Sequence, residues 1–130
     1  MSYTSEVTAR FGDRAVLGID ELYQLFALPP EIDLDTLTSA LVIFLEEYDI
    51  PAGSLRPDDS MRCFVDPPRT KNPISWFFAR SSYEFRLSEL SYHLGKARHR
   101  AGLKALPAWP ATIRDYVIAY AGKDQPAMSP

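Results

Sequence analysis

The sequence predicts an all-α fold: one four-helix, bundle-like domain with an irregular, proline-rich middle. Three observations carry that expectation. Apolar residues recur at helical spacing in two long windows, near residues 34–48 and 82–101, and such spacing lays an apolar stripe along one helix face. Eleven prolines cut the chain into segments, because proline ends helices and also restrains the residue before it. The length of 130 residues suits a single domain and is enough to bury a core without covalent staples. The alternative is α+β, with a small hairpin at 61–79.

Residues 1–13 read as a frayed, flexible leader, 14–123 as the helical domain and 124–130 as a disordered tail. The first helix is expected over about 17–28, where Leu22, Leu25 and Phe26 fall at helical spacing before Pro29 and Pro30. The second is the clearest. Leu34, Leu37, Leu41, Phe44, Leu45 and Tyr48 form one stripe, Asp33 or Asp35 can cap its start, and Pro51 and Gly53 end it. From 51 to 80 the signals conflict. Met61 to Val65 alternates like a short strand, and Asn72-Pro73 can open a helix with asparagine as cap and proline in the first position; the helix is preferred to the hairpin. The third helix is placed at 82–101, with Ser81-Ser82-Tyr83-Glu84 as a capping box. Its stripe is Tyr83, Leu87, Leu90, Leu94, Ala97 and Ala101, and Gly102 stops it. The fourth covers about 111–121, with Ile113, Tyr116, Val117 and Tyr120 on one face.

Composition narrows the function. The chain is 46% hydrophobic and 24% charged, with a net charge of −3. That balance argues against nucleic acid, which calls for a clear basic excess. No apolar run reaches the roughly 18 residues of a membrane span, and the first ten residues carry no secretory apolar core. With one cysteine, Cys63, the expected setting is the reducing cytoplasm.

Catalytic and metal signals are sparse. Two histidines, His93 and His99, and one cysteine cannot make a zinc set at standard spacing, so no metal is expected. His93 reads as a core-edge residue, His99 as a solvated charge and Cys63 as a small buried thiol. The acids Glu46-Glu47 with Asp49, and Asp58-Asp59, read as solvent-exposed rather than as an acid–base pair. Glu46 and Glu47 close the second helix, where negative charge opposes the dipole at about 0.3–1 kcal/mol each if exposed. A local penalty of that kind marks a candidate recognition face, Glu46, Glu47 and Asp49. The run Lys96, Arg98, Arg100 is the dense basic patch and a second candidate partner-binding surface. Trp76, Phe77 and Phe78 are expected in the core. A small enzyme would need His93 or Cys63 gathered with an acid in one cleft.

The stretch Leu45-Glu46-Glu47-Tyr48-Asp49-Ile50-Pro51, followed by Leu55-Arg56-Pro57-Asp58-Asp59-Ser60-Met61, resembles acyl carrier proteins and their bacterial relatives. Those are small acidic helical bundles that carry phosphopantetheine on a serine within Asp-Ser-Leu at the start of their second helix. The resemblance fits two registers. In one, the loop Leu55 to Met61 leads to a second helix at 82–101, and the attachment serine is Ser81 or Ser82, neither of them flanked as in Asp-Ser-Leu. In the other, residues 33–50 are the second helix, and Leu34 stands where the serine would be, so the arm has nowhere to attach. In both, Thr112-Ile113-Arg114-Asp115-Tyr116-Val117 is similar to the family's last helix. The implied function is a non-enzymatic, carrier-like or partner-binding domain without a loaded phosphopantetheine arm. The alternative is an adaptor, immunity-type or regulatory protein that uses its charged helix surfaces.

Overall fold

The computed structural model describes residue 11 and residues 14–66, 73–104, 106 and 108–123. Among these the chain is helical, with no strand. Its elements are α1 (Ile19–Phe26), α2 (Leu34–Tyr48), a 3-10 turn (Ala52–Ser54), α3 (Arg62–Val65), α4 (Pro73–Arg100) and α5 (Ile113–Tyr120).

Local chemistry sets each boundary. In α1, Leu22 and Phe26 face the core, and the helix stops at Ala27, which takes the left-handed conformation before Pro29 and Pro30. A turn then brings the Ile32 N–H to the Pro29 carbonyl at 3.0 Å. Asp33 caps α2 by accepting from the Thr36 N–H at 2.8 Å and its hydroxyl at 2.7 Å. Those bonds hold the Asp33 carboxyl below the usual carboxylate range. The helix ends at Asp49 rather than at Pro51. Asp49 adopts φ 58°, and the N–H groups of Asp49 and Ile50 bond the Leu45 and Phe44 carbonyls.

α2 is the hub, packing against α1, α4, α5 and the 3-10 turn. Leu37, Ala40, Leu41, Ile43, Phe44 and Tyr48 are buried along it. Leu45, placed on this stripe by its spacing, is instead exposed. It lies one residue beyond Phe44, so the helix turns it about 100° out of the core. The core centres on an aromatic cluster. Phe64 lies 4.8 Å from Phe44, 5.0 Å from Tyr48 and 5.7 Å from Phe11, centroid to centroid, and Tyr116 meets Phe44 edge-on at 5.5 Å. Phe11 therefore corrects the flexible leader at that position. Its ring is buried because stacking on Phe64 removes a large apolar surface from water.

The middle of the chain is helical where the strand alternative was drawn. Arg62–Val65 forms a short helix with Met61 at its N-cap, and among the described residues the pairing nearby is one isolated antiparallel bridge, Ser60 with Thr112. Around it the Met61 N–H bonds the Ala111 carbonyl and the Ile113 N–H bonds the Asp59 carbonyl, both at 2.9 Å. The loop is thus fastened to the start of α5, whose first N–H groups are capped by Thr112. Residues 67–72, at the centre of the hairpin alternative, lie outside the described residues.

The largest departure is α4. It starts at Pro73 and runs unbroken for 28 residues to Arg100, about 42 Å at 1.5 Å per residue. Two predicted segments are one helix, and Ser81-Ser82-Tyr83-Glu84 is interior rather than a capping box. Nothing between Pro73 and Gly95 breaks a helix, so a run of capping residues inside it does not start a new one. Leu90 and Leu94 are buried, Tyr83, Leu87 and Ala97 half-buried, and Ala101 exposed. The helix ends as expected at Gly102, φ 75°. The side chains of Trp76, Phe77 and Phe78 lie outside the described residues, as do residues 124–130.

Candidate functional site

The acidic end of α2 divides between two roles. Val42, Leu45 and Glu46 fall at i, i+3 and i+4 and are exposed, so they share one face of the helix; Asp49, the left-handed residue that ends α2, is exposed just beyond them. Glu47 points away from that face. It accepts from the Arg86 guanidinium at 3.3 Å, and both side chains are largely covered. The exposed surface therefore contains Glu46 and Asp49 beside two apolar residues, whereas Glu47 ties α2 to α4.

The basic end of α4 divides in the same way. Lys96, His99 and Arg100 are exposed. Arg98 is 2% exposed, which corrects its assignment to a partner-binding surface. It follows Leu94 by four residues and so shares the inward face. Its Nε donates to the Lys104 carbonyl at 2.9 Å and its guanidinium NH1 to the Ala119 carbonyl at 3.1 Å. A run of four basic residues in five necessarily covers both faces of a helix.

His93, on α4, contacts both α2 and α5. It is half-buried, hydrogen-bonded through Nε2 to the Ser39 carbonyl at 3.0 Å and stacked on Tyr120 at 4.9 Å, which is the core-edge position its spacing implied. Burial lowers its pKa, against the opposing pull of the Ser39 carbonyl and the Glu46 charge, and Arg100 lowers it further. Above the ordinary value of 6.5 the ring is neutral in the folded and unfolded chain alike, and its contribution is complete. As pH falls from there through the lowered folded value, the unfolded chain takes the proton first and stability is lost. Urea midpoints should therefore fall between pH 7.5 and 5, and His93→Gln should flatten that part of the profile.

The second acidic pair is structural at one member. Asp58 is exposed, but the Asp59 carboxylate is 10% exposed and bidentate to Arg14, with both bonds 2.6 Å, and it also accepts the Arg56 N–H at 2.8 Å. That corrects the reading of Asp59 as solvated. Arg14 also reaches the Ser54 carbonyl at 3.0 Å, and Arg56 reaches the Gly53, Leu55 and Ala15 carbonyls. Together they clamp the chain before α1 onto the proline-rich loop. Asp59→Ala is expected to cost about 1–2 kcal/mol in urea unfolding, below the value for a fully buried pair because Arg14 is 33% exposed.

Arg114 is a further residue the sequence did not single out. It donates to the Phe26 and Ala27 carbonyls, each at 2.8 Å. α1 has no basic residue in its own last turn, so Arg114 supplies from a distance the positive charge its C-terminus favours. Only the tertiary fold brings the two together, so no local signal could have revealed it.

Among the described residues no group of three histidine, cysteine or carboxylate side chains could hold a metal. Cys63 is free and half-buried in α3. Among the described residues, open clefts of about 220, 470 and 210 Å³ are present, and neither histidine nor Cys63 lines these. Ser82 is half-buried well inside α4, not at a helix start, and the side chain of Ser81 lies outside the described residues. No helix is long and apolar enough to cross a membrane among the described residues. Comparison of the chain with protein-family models, curated proteins and solved structures finds no match.

Proposed function

We propose that this chain is a non-enzymatic, carrier-like domain that works by presenting the outer face of α2 to a protein partner. One observation supports this above the others: Val42, Leu45 and Glu46 form an exposed row on the helix at the hub of the domain, with exposed Asp49 just past its end. Apolar residues flanked by acids fit a partner helix with an apolar stripe and basic edges. Several charges elsewhere are tied inward, as Arg14, Arg56, Asp59, Arg98 and Arg114 are.

The carrier resemblance reads best in the register that makes α2 the family's second helix. Asp33 is the cap and Leu34 the first helical residue, so the position that would bear the arm has no hydroxyl. The competing register needs Ser81 or Ser82 at a helix N-terminus, and both lie within α4. This reading therefore has no loaded arm and no cofactor. Intact mass after coexpression with a phosphopantetheinyl transferase tests that directly: an unchanged mass is expected, and a gain of one phosphopantetheine would reject it.

The surface itself is tested by recovering partners from the native cell with the wild-type chain, with Glu46→Lys/Asp49→Lys, and with Lys96→Glu/Arg100→Glu. Loss of a specific partner with the first pair alone is expected. If neither pair alters any partner, the α2 face is not the binding surface. Loss with the second pair alone would favour the regulatory or adaptor reading through the basic end of α4.

A further inference from the structure

We infer that the cleft just past the end of α2 anchors the protein partner by receiving one of its lysine or arginine side chains. This rests on the reading of the outer face of α2 as the recognition surface. The cleft holds about 210 Å³, room for one long side chain but less than the roughly 300 Å³ at which small-molecule sites begin. Phe11, Ile50 and Ser54 are the buried part of its lining, and Val16 and Pro51 the exposed part. Asp49 lines it too, and Asp49 stands exposed just beyond Val42, Leu45 and Glu46. The α2 face therefore leads directly into the cleft.

The two charges in the lining are not equivalent. Arg14 is already matched: its guanidinium meets both oxygens of the Asp59 carboxylate at 2.6 Å, donates to the Ser54 carbonyl at 3.0 Å and lies 4.9 Å over the Phe11 ring. Asp49 forms no ion pair among the described residues, so the cleft presents one unmatched negative charge. The end of α2 adds to it. The helix has no basic residue in its last turn, and Arg86, which reaches that end from α4, is taken by Glu47. Glu46 is likewise outside any ion pair among the described residues, and the carbonyl end of a helix carries the negative pole of its dipole. At α1 the same need is met within the chain by Arg114. At α2 the matching cation is left to the partner.

The surroundings select a side chain over a bare ion. A divalent metal calls for several oxygen ligands, and this cleft brings one unmatched carboxylate. A lysine or arginine carries its charge on an apolar stem. The stem packs along Val16, Ile50 and Pro51, and the head meets the Asp49 carboxylate. The backbone at Asp49 is held at φ 58° by the bond from its N–H to the Leu45 carbonyl at 3.1 Å, so the carboxylate is presented from a fixed point. A partner helix lying along Val42 and Leu45 then sets a basic residue beyond its apolar stripe, over the cleft.

Fluorescence anisotropy on the full chain tests it. The probes are a fluorescein-labelled amphipathic helix of leucine and lysine, about 18 residues long, and a second in which glutamine replaces every lysine. Saturable binding of the lysine peptide is expected, with the glutamine peptide about tenfold weaker. Asp49→Asn removes the charge while tolerating the left-handed backbone. It should weaken the lysine peptide about three- to tenfold and leave the glutamine peptide unchanged. Val16→Lys, in the cleft lining and off α2, should weaken the lysine peptide likewise. Leu45→Lys should weaken both peptides and reports on the α2 face by itself. If Leu45→Lys weakens the lysine peptide while Asp49→Asn and Val16→Lys do not, the α2 reading stands and the cleft inference falls. Absence of saturable binding by the lysine peptide also overturns the inference.

Discussion

Phe64→Ala is expected to remove about 3–5 kcal/mol of stability, the range for truncating a buried aromatic. Phe64 is fully buried, and its ring touches Phe11, Phe44 and Tyr48. The loss should exceed the transfer of one ring from water. Its four-residue helix is too short to be stable alone, and Phe64 is what holds α3 against α2. The cavity left behind is bounded by α2, which cannot collapse into it because α1, α4 and α5 pack around it. Urea unfolding followed by circular dichroism reads the effect. A loss below about 1 kcal/mol would mean that the cluster does not organise the core.

Gly53→Ala should destabilise by about 2–3 kcal/mol, although it adds only a methyl group. A Cβ at this position would sit 2.3 Å from the Leu17 carbonyl oxygen and 2.9 Å from the Leu17 nitrogen. Those are backbone atoms, so no side-chain rotation relieves the overlap. The contact exists because the Leu17 N–H bonds the Gly53 carbonyl at 3.0 Å, which brings the two strands of chain into direct apposition. The substitution should break that hydrogen bond and loosen the Arg14–Asp59 clamp beside it. A lowered urea midpoint with faster amide exchange at Leu17 is the expected signature. Gly18→Ala, at the N-cap of α1 with open space around the added carbon, is the comparison and should lower the midpoint less, by the loss of a favoured cap residue alone.

The helical class of the fold was legible in the sequence, and particular residues show why. α2 carries its own periodicity and its cap at Asp33, both local properties of the chain, whereas its stop came at the left-handed Asp49 before the expected Pro51. α5 was equally readable from the spacing of Ile113, Tyr116 and Val117, although its cap at Thr112 was not singled out. α4 was misread at its start because Ser81-Ser82 has the chemistry of a cap, and a cap is used only where the preceding backbone is not already helical. Met61 to Val65 alternates like a strand, yet a short segment takes the geometry its neighbours impose, here the packing of Phe64 and the bonds from Ala111 and Asp59.

The site was half legible, for the same kind of reason. Glu46 and Asp49 are exposed where the charge run implied, but nothing local separates them from Glu47, which is turned inward by Arg86 from another helix. Arg98 looks like part of a surface run until Lys104 and Ala119 supply carbonyls for it. Phe11, Arg14, Asp59 and Arg114 act through partners 40 to 88 residues away in the chain, beyond the reach of any periodicity.

The exposed α2 row is the centre of the functional account, and site-specific photo-crosslinking in the native cell tests it most directly. A photoreactive amino acid would replace Leu45, and in a control it would replace Asp58, exposed on the proline-rich loop. A discrete adduct is expected from position 45, abolished by Glu46→Lys/Asp49→Lys, with none from position 58. The same adduct from both positions, or an adduct at 45 that survives the charge reversals, would contradict recognition through this helix face.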